Sequence, residues 1–90
     1  MLIVVPYYVY ILRCEDDSYY TGFSKNLPLR MKLHWEGKGA KYTRMHKPKK
    51  LVYIERFDSR SHAMNREKQV KKLNHHQKDL LITSQIKLKI

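Results

Sequence analysis

Acidic residues are scarce in this chain, with 8 Asp and Glu against 19 Lys and Arg and a formal net charge of +11 over 90 residues. Three of those acids fall in one turn at residues 15–17, so a two-metal carboxylate cluster cannot be assembled convincingly. The cationic excess predicts a polyanionic partner, and we favour nucleic acid over a merely basic surface. An acidic membrane surface fits less well, because no segment reads as a basic helix with a long apolar face.

Cysteine is nearly absent, and Cys14 stands alone. No disulfide can therefore form within the chain, and we expect a reducing, cytoplasmic setting. Its place in an apolar strand indicates packing and not nucleophilic chemistry. His75 and His76 are adjacent, which is not the ligand spacing of a tetrahedral zinc site.

Long apolar runs are also missing. No uncharged apolar segment approaches the ~18 residues of a membrane span. The apolar residues 2–5 lack a preceding basic region and meet Pro6, so they do not resemble a signal peptide. The length suits one small domain, which we expect at residues 1–83 with a flexible tail at 84–90.

Two strands joined by a short turn are predicted near the start of the chain. Residues 7–13 and 19–23 are rich in β-branched and aromatic side chains, and residues 15–18 form a polar turn cluster. Tyr10 and Tyr20 share a face of this hairpin only if paired positions sum to an even number. The two tyrosines therefore require a loop of three or five residues, or a bulge.

A helix should follow, capped by Asn26 and ending near Trp35, whose indole we expect in the core. Arg30 and His34 fall inside its apolar sector, so they must find partners or border a cleft. Residues 36–50 are interpreted as a basic loop and residues 51–57 as a third strand.

A second helix should begin at Ser59 or Ser61 and continue to about residue 73, with Glu67 at the centre of its apolar stripe. Residues 77–82 are predicted as a short third helix.

These polar residues in apolar surroundings suit phosphodiester hydrolysis, which needs an aligned water and stabilised charge on the phosphoryl oxygens. Arg30 can contact two phosphate oxygens, and His34 one turn later can exchange a proton near neutrality. Glu67 is a hard oxygen ligand for one Mg²⁺. Tyr10 can accept the proton of the attacking water or only orient that water; both roles stay open.

Each of these residues also has a structural explanation when it is taken alone. The tyrosines can be packing residues, Arg30 can pair with Glu67, and His34 can be a satisfied half-buried histidine. The basic loop lacks the Walker pattern, but its cations suit phosphate contacts. Tyr42 and Trp35 are candidates to stack on an unpaired base. The candidate nucleic-acid contacts are Lys25, Lys38, Lys41, Tyr42 and Arg44.

The spacing of several motifs resembles the GIY-YIG nuclease superfamily. Tyr8-Val9-Tyr10 is similar to its first tripeptide and Tyr20-Thr21-Gly22 to its second. Arg30 and Glu67 resemble the family arginine and glutamate. The resemblance covers about residues 7–73 and is closest to small stand-alone bacterial members, which carry a segment like Gly-Lys-Gly-Ala-Lys-Tyr-Thr-Arg at residues 37–44.

The resemblance implies an α+β fold with a three-stranded antiparallel sheet flanked by helices, and DNA strand cleavage with a single Mg²⁺ or Mn²⁺. Tyr10 would act as base or water-orienting group, and Tyr20 would position nucleophile and phosphate. Arg30 would stabilise the transition state, and Glu67 would bind the metal. His34 occupies a position where relatives carry tyrosine or histidine.

Two departures from the family pattern stand out. Tyr8 replaces the first glycine, and Phe23 stands where some repair-type members carry lysine, so Lys25 or Lys41 is expected to supply that phosphate contact. The alternative function is a DNA- or RNA-binding module that does not cleave. Docking on a protein complex such as the ribosome is supported by charge alone, and a protein partner or homodimer stays open.

Overall fold

The computed structural model describes residues 3–88, with side chains through residue 86. Within this range a three-stranded antiparallel sheet of order β2-β1-β3 is combined with four helices, which confirms the predicted α+β fold. None of the described helices is long and apolar enough to cross a membrane. The elements are β1 Tyr7–Cys14, β2 Tyr19–Ser24, α1 Leu27–Trp35, α2 Lys41–Met45, β3 Pro48–Phe57, α3 Arg60–Lys71 and α4 His75–Leu88.

The β1–β2 hairpin has the odd loop that the two tyrosines require. Tyr10 lies opposite Gly22, so paired positions sum to an even number and Tyr10 and Tyr20 share a face. The Cys14 amide donates to the Ser18 carbonyl at 2.9 Å, which closes a loop of residues 15–17. Asp17 ends this loop with φ 66°, the left-handed residue that three-residue hairpin loops use.

The two faces of the sheet pack against different helices. Strand alternation puts Ile11 on one face, in a buried cluster with Tyr53 of β3, Val70 of α3 and Ile82 of α4. Tyr10 lies on the other face, where it contacts the buried His34 of α1. The sheet therefore separates an apolar core from a polar one.

Side-chain caps set the starts of α1 and α3. Asn26 Oδ1 accepts from the Leu29 amide at 3.1 Å, and Ser59 Oγ accepts from the His62 amide at 3.2 Å. Both caps satisfy an amide that has no partner within its own helix, and both predicted starts are confirmed.

Three predictions about local structure differ from what is observed. Residues 36–50 are not a continuous loop, since they contain α2, and β3 begins at Pro48 because β1 continues far enough for Cys14 to face it. The sequence pattern hides this pairing because Lys49 and Lys50 do not resemble a strand. Trp35 is 47% exposed and does not lie in the core; His34 is the buried residue of α1.

The C-terminal helix is longer than predicted, because α4 runs from His75 to Leu88. Residues 84–88 therefore continue a helix where we expected a tail, and residues 89–90 lie outside the described residues. Gln85 explains the extension. Its amide donates to the Ile54 carbonyl at 2.5 Å and accepts from the Ile54 amide at 3.3 Å, so it occupies backbone groups on the edge strand β3.

Candidate active site

Tyr10 reaches its partners by crossing β2 at a glycine. A Cβ added at Gly22 would stand 2.6 Å from the Tyr10 hydroxyl oxygen and 3.1 Å from the Tyr20 ring. Only hydrogen at that position allows the tyrosine rings to lie this close to the strand backbone. The Tyr10 hydroxyl then lies 2.7 Å from His34 Nε2, and both side chains are fully buried.

A hydrogen-bond chain fixes the state of the histidine. Thr43 Oγ1 donates to the Ala40 carbonyl at 3.2 Å, so its oxygen is free to accept the proton of His34 Nδ1, 2.8 Å away. Nε2 is then the acceptor of the neutral imidazole, and the Tyr10 hydroxyl donates to it. We call these three buried side chains, Tyr10, His34 and Thr43, the relay.

Both ionisable members of the relay are neutral at physiological pH. Burial lowers the pKa of His34 to about 4, and the positive charge of Arg30 acts in the same direction. Burial raises the pKa of Tyr10 to about 12 against the opposing contact with Arg30. A neutral phenol therefore donates to a neutral imidazole, and neither side chain carries a charge in the resting protein.

Arg30 supplies the permanent positive charge next to the relay. A polar contact with Tyr10 raises the pKa of its guanidinium above the ordinary value. Arg30 Nε is buried and has no hydrogen-bond partner among the described residues. Buried donors are nearly always satisfied, so this N–H group stands out as an unpaired donor. Its nitrogen is closed to solvent, and an anion would reach it only after neighbouring side chains move.

A row of aromatic rings forms one wall of the site. The centroid of the Tyr20 ring lies 5.1 Å from that of the His34 ring. It lies 5.9 Å from that of the Tyr42 ring, on which Tyr20 stacks. Tyr42 also stacks on His46 at 4.2 Å, and His46 Nδ1 lies 2.5 Å from Asp16 Oδ2. Tyr42 already has two ring partners, so an unpaired base would have to displace one of them or extend the row.

Glu67 lies on α3, and its negative charge is the weakest of the causes that raise the pKa of Tyr10, of which burial is the largest. Its side chain is 16% exposed, and its carboxylate lies 3.6 Å from Lys71 Nζ. Within residues 3–88 no group of three or more His, Cys, Asp or Glu could hold a metal ion. One nearly buried carboxylate still fits Mg²⁺, which keeps several waters and takes few protein ligands.

The cations that are predicted to contact nucleic acid lie at the surface, on the segments that flank α1 and on α2. Lys25 precedes α1 and Lys38 follows it, while Lys41 and Arg44 belong to α2; all four are exposed. The structure thus brings Tyr10, Tyr20, Arg30 and His34 into contact or close proximity and puts these cations on the neighbouring segments.

Two further site residues carry roles that sequence reasoning did not assign. Thr43 orients His34, and a Cβ added at Gly39 would stand 2.5 Å from His34 Nδ1 and 2.9 Å from its backbone nitrogen. Both residues lie within the motif at residues 37–44. That motif was the available signal, but its pattern does not state which side chain its threonine contacts.

This fold and residue set define a nuclease-like α+β domain. The family model described as GIY-YIG catalytic domain matches residues 6–79. The chain belongs to the GIY-YIG family.

Its relatives are proteins of similar size. The chain is 53% identical over 77 residues to UPF0213 protein CPE1444 of Clostridium perfringens, covering 86% of this chain and 83% of that protein. It is 46% identical over 79 residues to UPF0213 protein NP_0776A of Natronomonas pharaonis, covering 88% and 93%.

Two solution NMR structures have similar folds. UPF0213 protein BH0048 from Bacillus halodurans is 45% identical with a TM-score of 0.57, covering 87% of this chain and 83% of that one. Protein EF2693 from E. faecalis is 34% identical with a TM-score of 0.62, covering 88% and 84%.

Proposed function

We propose that this protein is a divalent-metal-dependent endonuclease or nickase that hydrolyses DNA phosphodiester bonds in the cytoplasm. The observation that carries the proposal is the buried relay next to Arg30, whose Nε–H has no partner among the described residues. Buried polar atoms without a partner are few in native proteins, and Thr21 Oγ1 is the other one found among the described residues. A phosphate oxygen would satisfy the Arg30 Nε–H.

The relay supplies a route for the proton of the attacking water. Tyr10 is protonated at neutral pH because its pKa is about 12, so it accepts a proton only as it gives its own to His34 Nε2. The resulting imidazolium keeps its Nδ1 proton on Thr43. Tyr10 is thus both the orienting group and the proton carrier, and His34 is the final base.

Arg30 acts on the phosphate and Glu67 on the metal. The guanidinium fork can contact two phosphoryl oxygens as negative charge builds on them, and Tyr20 positions the substrate beside it. Glu67 would hold one Mg²⁺ or Mn²⁺, and the bound ion would supply Lewis-acid stabilisation of the charge on the phosphate. The surrounding cations bind the DNA backbone: Lys25, Lys38, Lys41 and Arg44, with Tyr42 in the aromatic wall.

The test is cleavage of supercoiled, branched and flapped DNA with Mg²⁺ or Mn²⁺. We expect the parent protein to cut at least one substrate and Glu67→Gln to lose that activity at equal DNA binding. Glu15→Gln is the matched control, since Glu15 is an exposed acid in the hairpin loop. The proposal fails if no substrate is cut or if Glu67→Gln cuts as well as the parent.

A second candidate function is a module that binds DNA or RNA without cleaving it. The pKa values of the relay favour this second function. The Tyr10 phenol, with a pKa of about 12, and the His34 imidazole, with a pKa of about 4, are both poor proton acceptors in the resting protein. Binding that weakens with salt is expected of both functions. Metal-dependent turnover separates them.

A further inference from the structure

A groove beside the candidate active site exposes the tryptophan of the chain. Met31, Lys32 and Trp35 of α1 and Leu51 of β3 line an open groove of about 340 Å³. Trp35 is 47% exposed although the histidine next to it is fully buried. We call these four residues the Trp35 groove. A single exposed apolar residue is normal at a protein surface. The case for binding rests on the indole sharing one groove with Met31, Leu51 and the cation of Lys32.

The charge around the Trp35 groove selects its occupant. Lys32 is part of the lining, and the exposed Lys49 and Lys50 immediately precede Leu51 on β3. The exposed Glu36 is the neighbouring acid in sequence. A flat apolar ring with cations beside it is the arrangement that binds single-stranded nucleic acid, because the base stacks and the phosphates are neutralised. A second copy of this chain would bring another +11 of charge and be repelled.

The position of the groove separates it from the relay. Trp35 follows His34 directly on α1, and one residue turns an α-helix by about 100°, so the indole leaves the helix on a different side from the imidazole. A base in the groove is therefore not the group that reacts. It belongs to a nearby nucleotide, and it must be unpaired, since a base within a duplex does not expose its face for stacking.

We propose that the Trp35 groove binds an unpaired nucleobase of single-stranded DNA next to the active site, with the indole as the stacking surface. The groove thereby favours DNA in which a duplex meets an unpaired strand. The proposal rests on the proposed function only in taking DNA as the ligand; it does not require cleavage.

The test uses Trp35 as its own reporter, since it is the single tryptophan of the chain. The intact protein is titrated in EDTA, so that nothing is cut, with oligothymidylate, a blunt duplex of equal length and an abasic strand of equal charge. We expect strong fluorescence quenching by oligothymidylate and little by the other two. Trp35→Ala should weaken oligothymidylate binding about 10- to 100-fold, as loss of one stacking partner does, with duplex binding unchanged.

Two variants control for folding and for general loss of apolar surface. Trp35→Phe keeps an aromatic ring and should retain most of the preference for the single strand. Leu29→Ala removes another exposed apolar side chain of α1, 51% exposed, that does not line the groove, and should bind like the parent. The proposal is overturned if the abasic strand quenches as well as oligothymidylate, if Trp35→Ala binds as the parent does, or if Trp35 fluorescence shifts with protein concentration alone. Quenching by oligothymidylate, together with no cleavage of supercoiled, branched or flapped DNA in Mg²⁺ or Mn²⁺, would end the proposed nuclease and leave this site standing.

Discussion

The two faces of β1 are buried to the same extent by different kinds of contact. Ile11 packs into an apolar cluster with Val70 and Ile82, whereas Tyr10 lies in a hydrogen-bonded chain with His34 and Thr43. Apolar packing is non-directional and tolerates conservative changes of shape. A buried polar chain requires each donor and acceptor to be paired, so it holds one geometry and penalises any loss. The Ile11 face therefore mainly stabilises the fold, and the Tyr10 face holds the candidate catalytic side chains in place.

The largest expected effect is on stability and comes from the apolar face. Ile11→Ala should lower the free energy of unfolding by about 2–5 kcal/mol, because it leaves a cavity in the cluster. Ile11→Val should lower it by only about 0.5–1.5 kcal/mol. Urea unfolding measures both. Cleavage per folded molecule should be unchanged in either variant; a comparable fall in activity would mean that the two faces are not independent.

The next effect is on activity and comes from the polar face. Arg30→Ala should slow cleavage about 100- to 1000-fold, the range seen when one transition-state donor is removed. Stability should fall modestly, because Arg30→Ala removes the polar contact with Tyr10, whereas the lost Nε–H has no partner among the described residues. Arg30→Lys is the control: it keeps the charge but loses the planar fork, so it should restore only part of the rate. Full activity in Arg30→Lys would contradict bidentate phosphate binding.

Loss of the Thr43 hydroxyl should affect both stability and cleavage activity, each less than the changes above. Thr43→Val keeps the shape but leaves His34 Nδ1–H without its 2.8 Å acceptor, at about 1–3 kcal/mol of stability. The imidazole then loses its fixed tautomer, which NMR of the ring nitrogens would detect, and cleavage should slow. Thr43→Ser restores the hydroxyl and should recover both properties. A Thr43→Val protein with an unchanged tautomer would separate Thr43 from the relay.

Much of the fold was predictable because its signals are local. Asn26 and Ser59 are good caps wherever they precede a helical pattern, and the parity of Tyr10 and Tyr20 requires an odd hairpin loop. The failures are residues whose state depends on distant contacts. Trp35 looks like a core residue in sequence, but in the folded protein its ring lies in an open groove beside Leu51 of β3. Gln85 looks like part of a tail until the edge of β3 gives it the Ile54 backbone to bind.

The site was partly predictable for the same reason. Arg30 and His34 stand out because they interrupt the apolar sector of α1, and such an interruption is visible in sequence. Thr43 interrupts nothing, since a small polar residue in a basic segment is unremarkable. Its role follows only from the 2.8 Å contact with His34 across nine residues of chain. Hydrogen-bond chains between elements are properties of tertiary structure.

The smallest effect is a dependence of stability on pH that only the polar face should produce. His34 has a pKa of about 4 in the folded protein against 6.5 for the free side chain. Between these values the unfolded chain binds a proton that the folded protein does not, so the contribution is present above pH 6.5 and is lost as the pH falls toward 4. At pH 5.5 the loss is about 1 kcal/mol, measurable by urea unfolding at several pH values.

The control for this dependence is a change on each face of the sheet. Ile11→Val leaves the relay intact and should show the same slope as the parent, shifted to lower stability. Arg30→Gln removes the cation that helps to lower the pKa of His34, so the imidazole should titrate at higher pH by NMR and the slope should flatten. Asp16, whose pKa is lowered chiefly by its hydrogen bond with Ser18, acts only at more acidic pH. A parent protein whose stability is flat between pH 6.5 and 5 would show that His34 does not remain neutral in a closed relay.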